Sequence, residues 1–213
     1  MAYGTNAPWG LKAVKTLSAA EHCGVLSTLP INIEDGATTF SIFEGDLVAV
    51  INGYLVSYYQ LIAAAPDVQT APVIGVFKGC SYKNKDTSLV DYASPAQNHF
   101  LKNTQTLGDV NPIGYFYEDP NYLYDGQVLA TGVDQENVGK SVNVNFQTAN
   151  GDVIGNTDGT SKMTIDLGNM GGGAQRPLRI RSVVENAFNK PGVNYNNALV
   201  VIGNHKWRTA PAV

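Results

Sequence analysis

The 213-residue chain is short of charge. Asp, Glu, Lys and Arg make up 15% of it, against about 25% in an ordinary soluble domain. Its 14 basic and 18 acidic residues leave a net charge of -4 and a pI near 5.3, which argues against general nucleic-acid binding, since that needs a strongly basic footprint. Long hydrophobic runs are missing as well. Residues 47–51 and 61–65 are apolar but each run stops after five, whereas a membrane-spanning helix needs about 18 to 20 in succession. No apolar leader segment and no Asn-x-Ser/Thr acceptor is found, so the expectation is a chain made in a cytoplasm, with no membrane partner. Cysteine is scarce too: Cys23 and Cys80 lie far apart without a Cys-x-x-Cys spacing. They read as two small apolar thiols, not as a disulfide framework or a zinc site.

Turn formers fill the gap, with 22 Gly, 10 Pro and 20 Asn. They punctuate short β-like segments at 40–43, 47–51, 54–58, 73–77, 113–117, 122–128 and 198–202. Asn52-Gly53, between two of these, is the dipeptide best suited to a type I′ hairpin, and Asn150-Gly151 offers a second such turn. Asp119-Pro120-Asn121 reads as a turn between an aromatic strand and the next. Val142, Val144 and Phe146 alternate with Asn143, Asn145 and Gln147, the period of a half-buried strand. Leu178, Ile180, Ser182 and Val184 fall on one face of another, opposite Arg179, Arg181, Val183 and Glu185. The pattern predicts an all-β fold, an antiparallel barrel or sandwich. Residues 1–30 are irregular and read as an extended N-terminal arm, with a helical turn or two within 12–20; residues 31–213 form one β-rich body. Residues 63–72 and 151–176 lack periodicity and are expected as long loops.

Chemistry is hard to find in this chain. Gly139-Lys140-Ser141 resembles the end of a phosphate loop, but Asp134 stands where that loop needs glycine. His22, His99 and His205 are widely separated, and the adjacent His22 and Cys23 would point apart in an extended segment. No Gly-x-Ser-x-Gly elbow occurs. Glu118, Asp119 and Asp125 flank a tyrosine-rich strand pair and have the residue types of a glycosidase pair, but turn chemistry and solvated rims explain them better. No catalytic, cofactor or metal residue is therefore assigned, and the expectation is a non-enzyme. Charge is uneven: residues 109–140 carry six acids and one base, residues 175–213 six bases and one acid, a bipolar pattern suited to contacts between subunits. Tyr54, Tyr58 and Tyr59, and Tyr115, Tyr117, Tyr122 and Tyr124, form two clusters suited to interfaces, strands or a sugar-binding groove. Tyr3, Pro8 and Trp9 have too few apolar neighbours to pack on one another, so an ordered arm should lie on another surface.

Three segments together resemble a known family. They are Asn6-Ala7-Pro8-Trp9-Gly10-Leu11-Lys12, Glu118-Asp119-Pro120-Asn121-Tyr122-Leu123-Tyr124, and Ala198-Leu199-Val200-Val201-Ile202-Gly203-Asn204-His205. Their order and the chain length are similar to those of the decoration, or cement, proteins of tailed-bacteriophage capsids, and Gly45-Asp46-Leu47-Val48 and Pro177-Leu178-Arg179-Ile180 fit the same layout. The resemblance implies a virion structural protein, without catalysis, that binds the major capsid protein on the capsid exterior, often as a homotrimer. On that reading Tyr3, Pro8 and Trp9 are arm anchors, and Arg179 and Arg181 are polar contacts to an acidic neighbour. The competing expectation is a carbohydrate- or receptor-binding virion module on a β-sandwich, using the 115–124 region.

Overall fold

A computed structural model describes residues 6–17, 26–32, 40–64, 69–81, 98–102, 111–171, 175–185 and 189–207. Within them the strands are β1 (Leu11–Thr16), β2 (Ser27–Pro30), β3 (Ile42–Phe43), β4 (Leu47–Ile51), β5 (Tyr54–Ser57), β6 (Gly75–Ser81), β7 (His99–Phe100) and β8 (Ile113–Tyr117). They continue as β9 (Tyr122–Gln127), β10 (Ser141–Asn145), β11 (Thr148–Ala149), β12 (Asp152–Val153), β13 (Thr164–Gly171), β14 (Leu178–Val183) and β15 (Asn197–Ile202). One helical turn, α1 (Tyr59–Ile62), follows β5. No helix among the described residues is long and apolar enough to cross a membrane.

Turn chemistry sets the local registers. Asn52 and Gly53, at φ 51° and 85°, supply the two left-handed positions of a type I′ turn, and Ile51 pairs with Tyr54 across it. Asn150 and Gly151, at φ 52° and 74°, do the same for β11 and β12. Between β8 and β9 the Asn121 N–H donates to the Asp119 carboxylate at 2.8 Å, so the Asp-Pro-Asn segment is a side-chain-closed turn.

The strands assemble into two antiparallel sheets, β1-β9-β15-β14-β10-β13 and β2-β8-β6-β4-β5, with β3–β7 and β11–β12 as separate pairs. Each sheet curls. A parallel bridge from Val128 to Ile165 brings β13 back towards the end of β9, and one from Ile31 to Leu55 does so for β2 and β5. Among the described residues no closed barrel results, and the arrangement is that of a sandwich. The larger core joins Val142, Ile165, Ile180 and Val200 of the first sheet to Leu47, Ala49 and Val76 of the second. Val48, Leu55, Phe77, Cys80 and Phe116 turn the other way into a smaller core with Ile31, Ile42 and Phe100. The second sheet is thus covered on both faces, which is why β4 reads as a continuous apolar run.

The arm expected over residues 1–30 is where the structure differs most. Residues 1–5 and 18–25 lie outside the described residues, but Leu11–Thr16 is β1, paired with β9, and Ser27–Pro30 is β2, paired with β8. The segment expected to hold a helical turn is instead an edge strand. Its alternation is hidden because Val14 is the extra residue of a bulge and Lys12 and Lys15 face outward, both common at sheet edges. Residues 151–176 also hold more order than expected: β13 runs through them, with Met163, Ile165 and Leu167 buried. In β10 the alternation is incomplete. Asn143 is as buried as Val142, because Arg176 Nη1 covers it and donates to its Oδ1 at 2.7 Å. In β14 Leu178 and Ile180 are buried and Arg179 and Arg181 exposed, as the pattern predicts. A bulge at Arg181 then reverses the faces, so that Val183 packs against the core.

Candidate functional site

The opening segment is strapped onto the body by backbone bonds. Ala7 N–H donates to Gln127 Oε1 at 3.1 Å, the Pro8 carbonyl accepts from Asn156 Nδ2 at 2.9 Å, and Leu11 N–H donates to the Gly45 carbonyl at 2.9 Å. At Gly10, with φ 73°, an added Cβ would stand 2.6 Å from the Ser161 Cβ. Only glycine permits that approach. Pro8 is buried as a result and Trp9 is half-buried. Pro8 and Trp9, expected as anchors of an arm on another surface, lie against the body of their own chain. Tyr3 lies outside the described residues.

Trp9 is fixed at the mouth of a cleft of about 570 Å³, where the two sheets meet. Leu11, Lys12 and Ala13 of β1 and Asp125 of β9 form one wall, and Phe77 and Lys78 of β6 with Tyr117 of β8 form the other. Lys78 is the extra residue of a bulge between Phe77 and Gly79, a device that re-aims a side chain. It forms an ion pair with Glu44, which also lines the cleft. Lys12 and Asp125 face each other across the β1–β9 ladder. Burial raises the Asp125 pKa, while a hydrogen bond from Asn197 and the charge of Lys12 oppose that rise. The Asn197 bond is long, 3.5 Å to Oδ2, and Oδ1 is buried without a hydrogen-bond partner. Tyr117 is raised by burial, with Lys78 opposing and Glu44 reinforcing.

A second feature stands at the β8–β9 turn. Trp207 is 60% exposed, yet its indole is held: Nε1 donates to Glu118 Oε1 at 2.6 Å, and Ser27 Oγ donates to Oε2 of the same carboxylate. Lys206 Nζ lies 5.4 Å from the ring centroid. His205 anchors this stretch from below, buried with Nε2 2.9 Å from the Ile74 carbonyl. Arg179 and Arg181 project from β14 into solvent, apart from the residues that line the cleft.

Several candidates are thereby reassigned. Glu118 serves Trp207 and Ser27, and Asp119 closes a turn, so the structure does not bring the three carboxylates together as a pair with one role. Tyr58, Tyr122 and Tyr124 are core residues, the last two in an edge-to-face stack with Tyr117; of the 115–124 tyrosines, Tyr115 and Tyr117 stay half-exposed. Cys80 is buried, its thiol pushed up to about 12 by desolvation, while His22 and Cys23 lie outside the described residues. Among the described residues no three His, Cys, Asp or Glu side chains converge on a metal position. Sequence reasoning missed Lys12, Glu44, Lys78 and Thr160 as cleft residues. A lone lysine beside an apolar run, Val76-Phe77-Lys78, was the one legible signal. Comparison with protein-family models, with curated proteins and with solved structures found no significant match to this chain.

Proposed function

We propose that the protein is a structural component of a tailed-phage virion, a decoration protein that binds the outer surface of the capsid and stabilises it without turnover. One observation supports the reading most. The three sequence segments that carry the resemblance are far apart in the chain, yet the first two run into the starts of β1 and β9 and the third holds most of β15, three successive neighbours in one sheet. The resemblance thus falls on one contiguous piece of the framework. The next strand, β14, carries Arg179 and Arg181 outward, a basic face suited to an acidic neighbour, where charge sets orientation and register. Stabilisation then follows from mass action, since a ligand bound only to the assembled shell favours that shell.

The test is co-sedimentation of the purified protein with capsids prepared without it, together with its mass by light scattering. The expected result is a trimer that saturates the particles at a fixed copy number and raises their melting temperature. A protein that stays in the supernatant at saturating concentration overturns the reading.

A further inference from the structure

The cleft at the seam of the sheets plays no part in capsid binding as proposed, and its construction calls for its own account. Two side chains in its walls are placed by departures from regular structure: Lys78 by a bulge, and Trp9 by a strap that depends on Gly10. Bulges gather beside functional sites because they re-aim side chains. Its volume, about 570 Å³, falls within the roughly 300–1,000 Å³ of small-molecule sites. Two aromatic side chains, Trp9 and Tyr117, stand in its walls, while Phe77 turns its ring away into the smaller core. Its charges cancel, with Lys12 and Lys78 against Glu44 and Asp125. The Asp125 carboxyl is the under-satisfied member, with one long bond at Oδ2 and none at Oδ1.

We infer that this cleft binds a short neutral saccharide. Trp9 and Tyr117 line the cleft and supply aromatic surface for the apolar C–H faces of sugar rings, and the charged groups on both walls set cationic donors beside carboxylate acceptors, as adjacent hydroxyls require. The other ligand classes fit less well. A phosphate-bearing ligand would meet Glu44 and Asp125, a cation would meet Lys12 and Lys78, and a wholly apolar ligand would strip water from four charges with nothing in return.

The experiment is saturation-transfer NMR on the full chain with maltose, cellobiose, lactose and chitobiose, extended to an array of defined glycans. At least one saccharide is expected to bind, and Trp9→Ala and Asp125→Asn are each expected to weaken it tenfold or more. Arg179→Ala should leave binding unchanged. Asp125→Asn is nearly isosteric, so an unaltered melting temperature assigns its loss to the site and not to the fold, even if Trp9→Ala perturbs the strap. The inference is overturned if no saccharide binds at millimolar concentration. It is equally overturned if binding survives both cleft variants, including the case where Trp207→Ala alone abolishes it. Capsid co-sedimentation of the same variants keeps the two readings separate: a chain that binds sugar but no capsid retains this inference and loses the decoration role.

Discussion

Asp46 and Asp125 are both carboxyls drawn out of water, and the chain treats them differently. Asp46 is fully buried with both oxygens engaged, by Ser161 Oγ at 2.5 Å and by the Phe43 N–H at 2.8 Å. Ser161 Oγ in turn accepts the Met163 N–H at 2.8 Å, and Gly10 passes against the Ser161 side chain. Three segments of chain therefore meet at one carboxyl. Asp125 sits in the cleft wall with one long bond and one unmatched oxygen. The contrast sets a carboxyl whose bonds are all made inside the chain, and which serves the fold, beside one in a cleft wall that the fold engages only weakly.

Removing the scaffold carboxyl should do the most damage. Asp46→Ala strands the Phe43 N–H and the Ser161 hydroxyl in the interior, and at ~1–3 kcal/mol for each unsatisfied group the expected loss is about 3 kcal/mol in urea unfolding. Asp46→Asn should cost less, because its amide oxygen can accept from Phe43 and its amide nitrogen can donate to Ser161. The same pair of variants tests the charge state. Desolvation raises the Asp46 pKa from 3.8 to about 7, against the opposing pull of its hydrogen bonds. Between those values the folded chain holds a proton that the unfolded chain has lost, so stability is greatest at acid pH. It should fall as pH rises from 3.8 to about 7 and level off above, by up to ~1.4 kcal/mol per pH unit, and Asp46→Asn should flatten that slope. A wild-type melting curve independent of pH between 5 and 8 would mean that Asp46 is ionised when folded.

Next in size is Gly10→Ala, which places a Cβ at positive φ and against Ser161. About 2 kcal/mol is expected from the strain and the clash. This variant bridges the two regions, since it loosens the strap that fixes Trp9, and saccharide binding should weaken along with stability. If stability drops and binding does not, Trp9 is held by the cleft itself.

The sequence made the turns of the fold easier to anticipate than either of these two regions, for a physical reason. Hairpin turns are local: Asn52-Gly53 and Asn150-Gly151 specify their own left-handed geometry, and the alternation in β14 is visible over six residues. The all-β class follows from such signals. Edge strands and bulges are non-local. Leu11–Thr16 becomes a strand only because β9 offers a ladder, and Lys78 enters the cleft only because an extra residue is accommodated opposite Phe116 and Tyr115. The Asp46 hub joins residues more than a hundred positions apart, so Gly45-Asp46 reads in sequence as an ordinary turn. The one strand that was legible but unread is β13, where Ile165 and Leu167, with Met163 just before the strand, alternate with polar residues inside a glycine-rich stretch.

Asp125→Asn should hardly alter stability, by less than ~1 kcal/mol in either direction, because the carboxylate it removes is incompletely compensated and the amide keeps the same volume. A loss near that of Asp46→Ala would erase the contrast and make Asp125 a second scaffold group.

The smallest effect on the fold is expected from replacing Arg179 and Arg181 together by glutamate. Both side chains are exposed on β14, and neither forms an ion pair with a described residue, so unfolding free energy should stay within ~0.5 kcal/mol of wild type. If the outward face of β14 docks on an acidic capsid surface, reversing two charges replaces attraction by repulsion at the contact, and capsid co-sedimentation should weaken strongly while saccharide binding is untouched. Weaker sedimentation that is restored by high salt would identify repulsion as the cause, because exposed charges are screened within about 10 Å at 0.1 M salt. Undiminished sedimentation would move the capsid contact off β14, with the exposed Trp207, held by Glu118, as the next face to mutate.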